Sequence, residues 1–283
     1  MSAAGLVILK RRIESIKKTR KITRAMGLVA TSKLRKSRNV LVGNKLYFDK
    51  ISSIFREIIK YIPEDNIYVG APKDENCLYV VFTSDKGLCG SYNNYVVNKM
   101  KDIYIDRKEK CGIFLIGQRG KGHFERLNFK IISGPWELSD LPTVEEVKAI
   151  INSLVGLYKS GEVSEINLVY TKFITTVKTE IIVERLLPFE RENAEGDMDY
   201  TIFEPSFEEV FEEIANAYLK EKIYYAAINA KSSEHSARMR AMDGATQNAN
   251  DLLGKLQLKY NRIRQSSITQ EISEIVGGSE AQR

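Results

Sequence analysis

Proline is scarce and unevenly placed. The chain has six prolines in 283 residues, none before Pro63 and none after Pro205. Both ends therefore lack the strongest interior breaker of helices and can stay helical over unusual lengths. Histidine is scarcer still, and His123 and His235 are too few for most metal centres. Cys77, Cys89 and Cys111 are odd in number, and no two are two residues apart. That pattern argues against a disulfide framework and a zinc site, and for a reducing compartment. No apolar run approaches the roughly 20 residues that span a bilayer. Met1 to Lys10 also lacks the apolar segment and cleavage site of a secretory signal. At 43% apolar and 28% charged residues, the composition is that of a folded protein of one or two domains, neither disordered nor membrane-spanning.

Charge is plentiful but asymmetric. Residues 1–60 hold 16 Lys/Arg against 3 Asp/Glu, so the first 60 residues carry +13 and the remaining 223 carry −7. Between Lys10 and Arg38 there are 12 basic residues and one acid, Glu14. A basic arm on an acidic body implies an acidic partner: nucleic acid, an anionic membrane or an acidic protein surface. No helix-turn-helix, zinc finger or aromatic-interleaved groove accompanies the arm, which weakens the nucleic-acid reading.

From Phe207 to Ile275 the residues at alternating steps of four and three include Phe211, Ile214, Tyr218, Glu221, Tyr225 and Ile228. They continue through Ser232, His235, Met239, Met242, Thr246, Ala249, Leu253, Leu256, Tyr260 and Ile263. This is a heptad seam with a polar centre, and it needs a second helix to pack on. The spacing Leu6, Leu9, Ile13, Ile16, continued by Tyr47, Ile51, Ile54 and Ile58, predicts that partner as a helix from Leu6 to about Ile62. Two such helices flanking one domain pair antiparallel. Tyr218, Tyr224 and Tyr225 are expected along the seam near the domain junction.

Residues 77–190 alternate strands and helices, which implies a mostly parallel sheet covered by helices. Strands are expected at Cys77–Ser84, Gly112–Gly117, Phe129–Ile132, Ile166–Thr171 and Thr179–Leu187. Helices are expected at Tyr92–Lys108, Arg119–Leu127 and Thr143–Lys159, the last with a Thr143/Glu146 capping box. Residues 191–204 read as a polar loop. The expected fold is α/β: a long antiparallel two-helix coiled coil of the terminal helices, with an inserted Rossmann-like domain. The segments are 1–62, 63–204 and 205–283. Gly117-Gln118-Arg119-Gly120-Lys121-Gly122 could cradle a phosphate, but it matches no Walker or dinucleotide fingerprint, and a tight strand-to-helix turn is the better reading. Cys89 has no identifiable catalytic partner. On the residues alone, a structural axle, a coiled-coil nucleic-acid tether and an α/β enzyme with helical arms all stay open.

Several stretches resemble the gamma subunit of the F-type rotary ATP synthase. Ile268 to Gly278 (ITQEISEIVGG) is similar to that family's terminal I-T-x-E-x-x-[DE]-x-x-x-G, with Ser279 where the family usually has alanine. Ser233 to Met242 (SEHSARMRAM) resembles S-E-x-x-A-R-M-x-A-M, and Leu256 to Gln265 (LQLKYNRIRQ) resembles L-x-L-x-Y-N-x-x-R-Q. Arg12 to Met26 (RIESIKKTRKITRAM) and Ser84 to Gly90 (SDKGLCG, with Lys86 for the usual arginine) match two further family motifs.

The resemblance implies a non-catalytic shaft inside a ring of alpha and beta subunits, with the α/β domain beside the epsilon subunit and the membrane ring of c subunits. Proton or sodium flow would turn ring and shaft, and the turning shaft would cycle the catalytic beta sites. It further implies a peripheral position on the cytoplasmic face of the cell membrane, no span of its own, no nucleic-acid partner, no cofactor and no metal. By position, Arg238, Arg264, Gln265, Thr269 and Glu271 correspond to residues that engage the catalytic ring. Met26, Lys33 and Arg35 correspond to residues that meet an acidic loop of beta. The chain has no cysteine-bearing regulatory insertion, so thiol control is not expected. Its compact length and the lack of a transit peptide suggest a bacterial origin.

Overall fold

A computed structural model describes residues 3–63, 66–70, 76–104, 110–190 and 203–280. The order is α1 (Ala3–Ile58), β1 (Cys77–Phe82), α2 (Tyr92–Tyr104), β2 (Cys111–Ile116), α3 (Lys121–Arg126), β3 (Ile131–Trp136), α4 (Val144–Lys159), β4 (Glu165–Phe173), β5 (Thr179–Leu187) and α5 (Phe207–Glu280). The two terminal helices hold 56 and 74 residues. The chain divides into two compact units, one of residues 1–30 with 239–283, the other of residues 31–238.

In the smaller unit the ends of α1 and α5 pair antiparallel. Leu9 and Ile13 pack on Leu256, with Ile16, Leu253, Tyr260 and Ile263 around them. Thr23 and Thr246 share a 2.8 Å hydroxyl–hydroxyl bond, and Arg20 donates to Asn250 at 3.2 Å. Buried Met242, Ala249 and Leu256 recur every seven residues, as the heptad reading expects. The backbones are close enough that a Cβ on Gly27 would lie 3.2 Å from Asp243 Oδ1. A side chain at residue 27 would therefore need the Asp243 carboxylate to move by a few tenths of an ångström.

The larger unit holds a five-stranded sheet of order β3-β2-β1-β4-β5, parallel except for antiparallel β5 at the edge. Both faces of its centre are covered, so β1 and β2 are buried at every position. Leu78, Val80 and Phe82 point into a core shared with α4, α1 and α5; Tyr79 and Val81 point into one shared with α2 and α3. Each such fully buried side chain contributes roughly 1.5–3 kcal/mol. The Thr143/Glu146 capping box forms at the start of α4 as expected.

Several expectations need correction. Helix α1 ends at Ile58 and is followed by a 3-10 turn, Ile59–Tyr61. The third strand starts later than expected, at Ile131, and the helix after β2 opens with a 3-10 turn, Gln118–Gly120. Residues 105–108 of the expected second helix and 191–202 of the polar loop lie outside the described residues. The seam of α1 is offset by one residue near its end: Tyr47 is 55% and Ile54 46% exposed. Phe48 and Phe55 take their place, stacked on Tyr225 at 4.3 Å and Tyr218 at 4.1 Å between ring centroids. Tyr218 and Tyr225 thus meet the seam as expected, against different partners. The cysteines also differ from expectation. Cys77 and Cys111, 34 residues apart in sequence, are register partners on neighbouring strands and form a disulfide. Cys89 is free and buried.

Candidate interaction sites on the long helices

In an open parallel sheet, ligands characteristically sit outside the carboxyl ends of the strands, where the strand order reverses. Here that switch point lies between β1 and β4. It is occupied by the chain's own helix α5. Residues 226–236 of α5 are buried without interruption, as expected for a helix enclosed on all sides. Lys231 pairs with Asp85 just after β1 and donates to the Leu138 carbonyl at 2.7 Å. Ser233 donates to the Thr171 carbonyl at 2.9 Å, and Asn229 accepts from the Phe173 amide at 3.1 Å, both near the end of β4. Groups near the carboxyl ends of β1 and β4 are thus bonded to α5.

The glycine-rich turn after β2 is likewise structural. Gly117 has φ 95°, and a Cβ there would fall 2.2 Å from the Thr83 carbonyl oxygen. The Thr83 hydroxyl shares its one proton between the Ile116 and Gly117 carbonyls, at 2.9 and 3.0 Å, and accepts from the Gly120 amide at 3.2 Å. This is close strand-to-turn packing, and α3 beyond it is only six residues long. Among the described residues no cluster of three or more His, Cys, Asp or Glu is arranged to hold a metal ion.

The loop after β1 is held in an unusual conformation. Leu88 has φ 62°, in the left-handed region, and is 59% exposed. Arg238 secures the preceding residues: Nη2 donates to the Lys86 carbonyl at 2.8 Å and Nε to the Gly87 carbonyl at 3.2 Å. The same guanidinium pairs with Glu234 at 2.7 Å and contacts His235 Nδ1 at 3.3 Å. Burial pushes the Glu234 carboxyl above its usual range, although Lys231 and Arg238 oppose the shift. His235 is held down to about 4, chiefly by burial and then by Arg238, Lys33 and Lys231, with Asp140 opposing. It is therefore neutral near pH 7. Its Nε2 lies 3.3 Å from Asp140 Oδ1, but no hydrogen bond forms. Asp140 accepts from Lys33 at 2.6 Å. Burial works to raise the Asp140 carboxyl, yet the Lys33 bond and the charges of His235, Lys33 and Lys231 outweigh it, and the net shift is downward.

The sequence-derived contact residues fall into different environments. Arg238 is buried, and its guanidinium serves the loop after β1. Lys33 is half-buried and paired with Asp140, while Arg35 is exposed. Met26 is half-buried within the smaller unit. Arg264, Gln265, Thr269 and Glu271 are exposed near the end of α5, beyond Ile263, the last α5 residue of the packed seam. Beside them Ile268, Ile272, Ile275 and Val276 are 47%, 56%, 72% and 54% exposed, an apolar stripe at helical spacing. Sequence reasoning missed Asp85, Asp140 and Lys231. Nothing local marks Asp140, whereas the four-residue spacing of Glu234 and Arg238 was a usable signal for an ion pair on one helix face.

Known proteins are similar to this chain in sequence and in fold. The ATP synthase family matches residues 6–282. An ATP synthase gamma chain of Clostridium kluyveri is 49% identical over 281 residues, covering 99% of each chain. One from Clostridium botulinum strain Kyoto is 45% identical over 283 residues, covering 100% of each. In fold, the chain is similar to one from a Euglena gracilis mitochondrial ATP synthase assembly (OSCP/F1/c-ring). The TM-score is 0.71 at 16% identity, covering 99% of this chain and 95% of that one. A Tetrahymena thermophila mitochondrial central stalk/c-ring chain gives 0.60 at 23% identity, covering 79% of this chain and 99% of that one. With its family match from residue 6 to 282 and relatives identical at nearly half of all positions, the chain belongs to the ATP synthase gamma chain family.

Proposed function

We propose that the chain is the central rotor shaft of an F-type ATP synthase, turned by a c-ring and driving the catalytic beta subunits through their conformations. In this reading segments 1–62 and 205–283 are the two strands of the shaft, and segment 63–204 is its base, beside the epsilon subunit and the c-ring. The observation that carries the reading is α5 itself. It is 74 residues long, buried on every side at its centre and apolar yet exposed at its far end. A helix needs no such length to complete a globular domain; an exposed apolar stripe of this kind marks a surface that meets a partner. The chain carries no catalysis in this proposal. The switch point where an α/β enzyme would bind substrate is filled by Lys231 and Ser233. Among the described residues no helix is long and apolar enough to cross a membrane. The proposed location is peripheral, on the cytoplasmic face of the cell membrane, through the c-ring.

Arg264, Gln265, Thr269 and Glu271 are proposed to meet the alpha/beta ring with the stripe from Ile268 to Val276. Met26, Lys33 and Arg35 are proposed to meet an acidic loop of beta. Arg238 joins this set through the loop it positions, because its guanidinium is already bonded within the chain. Co-purification tests the whole reading. The chain should assemble stably with alpha and beta chains, and Mg-ATPase activity should be found only in the complex. Turnover by the chain alone, or salt-sensitive nucleic-acid binding without an ATPase partner, would overturn it.

Met26→Lys tests the contact assignment. An added ammonium facing an acidic loop makes a charge-assisted bond of roughly 1.5–3 kcal/mol. A contact that must break three times per turn becomes a brake. The ratio of ions pumped to ATP hydrolysed, measured in membrane vesicles, is expected to fall. A ratio equal to wild type would remove Met26 from the interface.

A further inference from the structure

A groove of 970 Å³ lies in the larger unit between α1, α5 and the β4–β5 pair. Its apolar part is Phe48 stacked on Tyr225, with Phe173 and the exposed Val42 (67%) and Ile174 (41%); Ser52 and Asn229 add polar groups. Its rim is basic. Arg38, Lys45 and Arg56 stand along α1, and Lys172 stands opposite on β4. Lys222, also in the groove, is already satisfied by Glu184 at 2.9 Å and lies over the Phe48 and Tyr218 rings. The four rim cations have no such partner: among the described residues no carboxylate pairs with any of them. Asp49 is the remaining acid of the lining.

We propose that this groove receives an acidic amphipathic helix from a partner protein. Three features select that occupant. The lining follows α1 from Arg38 to Arg56, a rise of about 27 Å, or five helical turns. Such a length suits a helix rather than a small anion. The cations also stand far apart, with Arg38 and Lys45 about 10 Å apart along the axis, so they do not converge on one phosphate. Finally, the walls are side chains of a helix and of a sheet face. A partner helix is held in such a groove by apolar anchors spaced three and four residues apart. Acidic residues on its flanks would meet the four unpaired cations and exclude basic competitors. The inference rests on the rotor reading, because the partner is sought among the subunits that assemble with this chain.

The test uses the assembled complex, purified first with the natural chain. A benzophenone amino acid is placed at Val42 or at Ile174, the complex is irradiated, and the cross-linked peptide is sequenced by mass spectrometry. The expected product joins this chain to another subunit, through a peptide of net negative charge with apolar residues at helical spacing. Arg38→Glu, Lys45→Glu and Lys172→Glu together should lower its yield at least tenfold. Lys50→Glu, an exposed change outside the groove, should leave the yield unchanged. Cross-linking into residues 191–202 of the same chain, into a second copy, into nucleic acid or into a basic segment would overturn the proposal. So would an assembled complex that yields no product from either position. Failure of the natural chain to assemble with alpha and beta chains is a separate result, which sinks the rotor reading and takes this inference with it.

Discussion

Replacing Arg238 by methionine is expected to destabilise the chain by about 3–5 kcal/mol, the cost of breaking a buried ion pair from one side. The substitution keeps most of the length of the side chain and removes all of its donors. Glu234, 3% exposed, loses the partner at 2.7 Å. The Lys86 and Gly87 carbonyls lose theirs at the same time, so the left-handed turn at Leu88 is released. With a urea slope of about 3 kcal/mol per molar, the unfolding midpoint should fall by about 1 M or more. The loss should depend on pH. Glu234 already titrates above its usual range through burial. Without Arg238 its folded value rises further, so stability is lost as pH rises from the unfolded value toward the folded one. The variant should therefore be closer to wild type at pH 5 than at pH 7. Adding Glu234→Gln should recover part of the loss, because the buried charge disappears with its partner. A midpoint within a few tenths molar of wild type would show that Arg238 faces outward, as a direct subunit contact requires.

The same residue shows what the sequence could and could not disclose. Periodicity located α5, and the seven-residue recurrence of Met242, Ala249 and Leu256 gave its seam, because every turn of a long helix repeats the same constraint. The Thr143/Glu146 capping box was legible because its partners are three residues apart. Strand β5 was placed at Thr179–Leu187, its observed bounds. The offset from Tyr47 to Phe48 was not legible. Both are aromatic, one residue apart, and the choice is made by Tyr225, 177 residues beyond Phe48. The Cys77–Cys111 disulfide was hidden for a related reason. Parallel pairing of β1 and β2 fixes which residues face each other, and no local spacing encodes that register. The sequence marked the centre of the seam as polar without showing what it meets; in the structure residues 226–236 are enclosed and bonded to the ends of β1 and β4. The motif Ser233 to Met242 therefore has a second reading besides external contact: it closes the switch point of the sheet from within.

That closure makes the larger unit sensitive to acid through His235. Stability is expected to fall as pH drops from 6.5 toward 4, with a total loss of about 3 kcal/mol from this one group. The sign follows from the direction of the shift. The imidazole titrates at about 4 in the folded chain and near 6.5 when unfolded, so acid protonates the unfolded state first. The contribution is complete above pH 6.5 and lost as pH falls through the window. Burial is the leading cause, and the charges around the ring reinforce it: Lys33 on α1 and Lys231 and Arg238 on α5, against Asp140 before α4. The Asp140 carboxyl sits below its ordinary value, so its own loss begins lower, under about pH 4, clear of the upper half of the histidine window. Between pH 6.5 and 5 the natural chain should lose about 2 kcal/mol more than a His235→Gln variant, whatever the fixed offset of the substitution. Urea midpoints at several pH values measure the two slopes. With only two histidines in the chain, proton NMR can follow the His235 ring directly. A ring that titrates near 6.5, or equal slopes for the two chains, would mean that His235 is open to water and that α5 is not enclosed there.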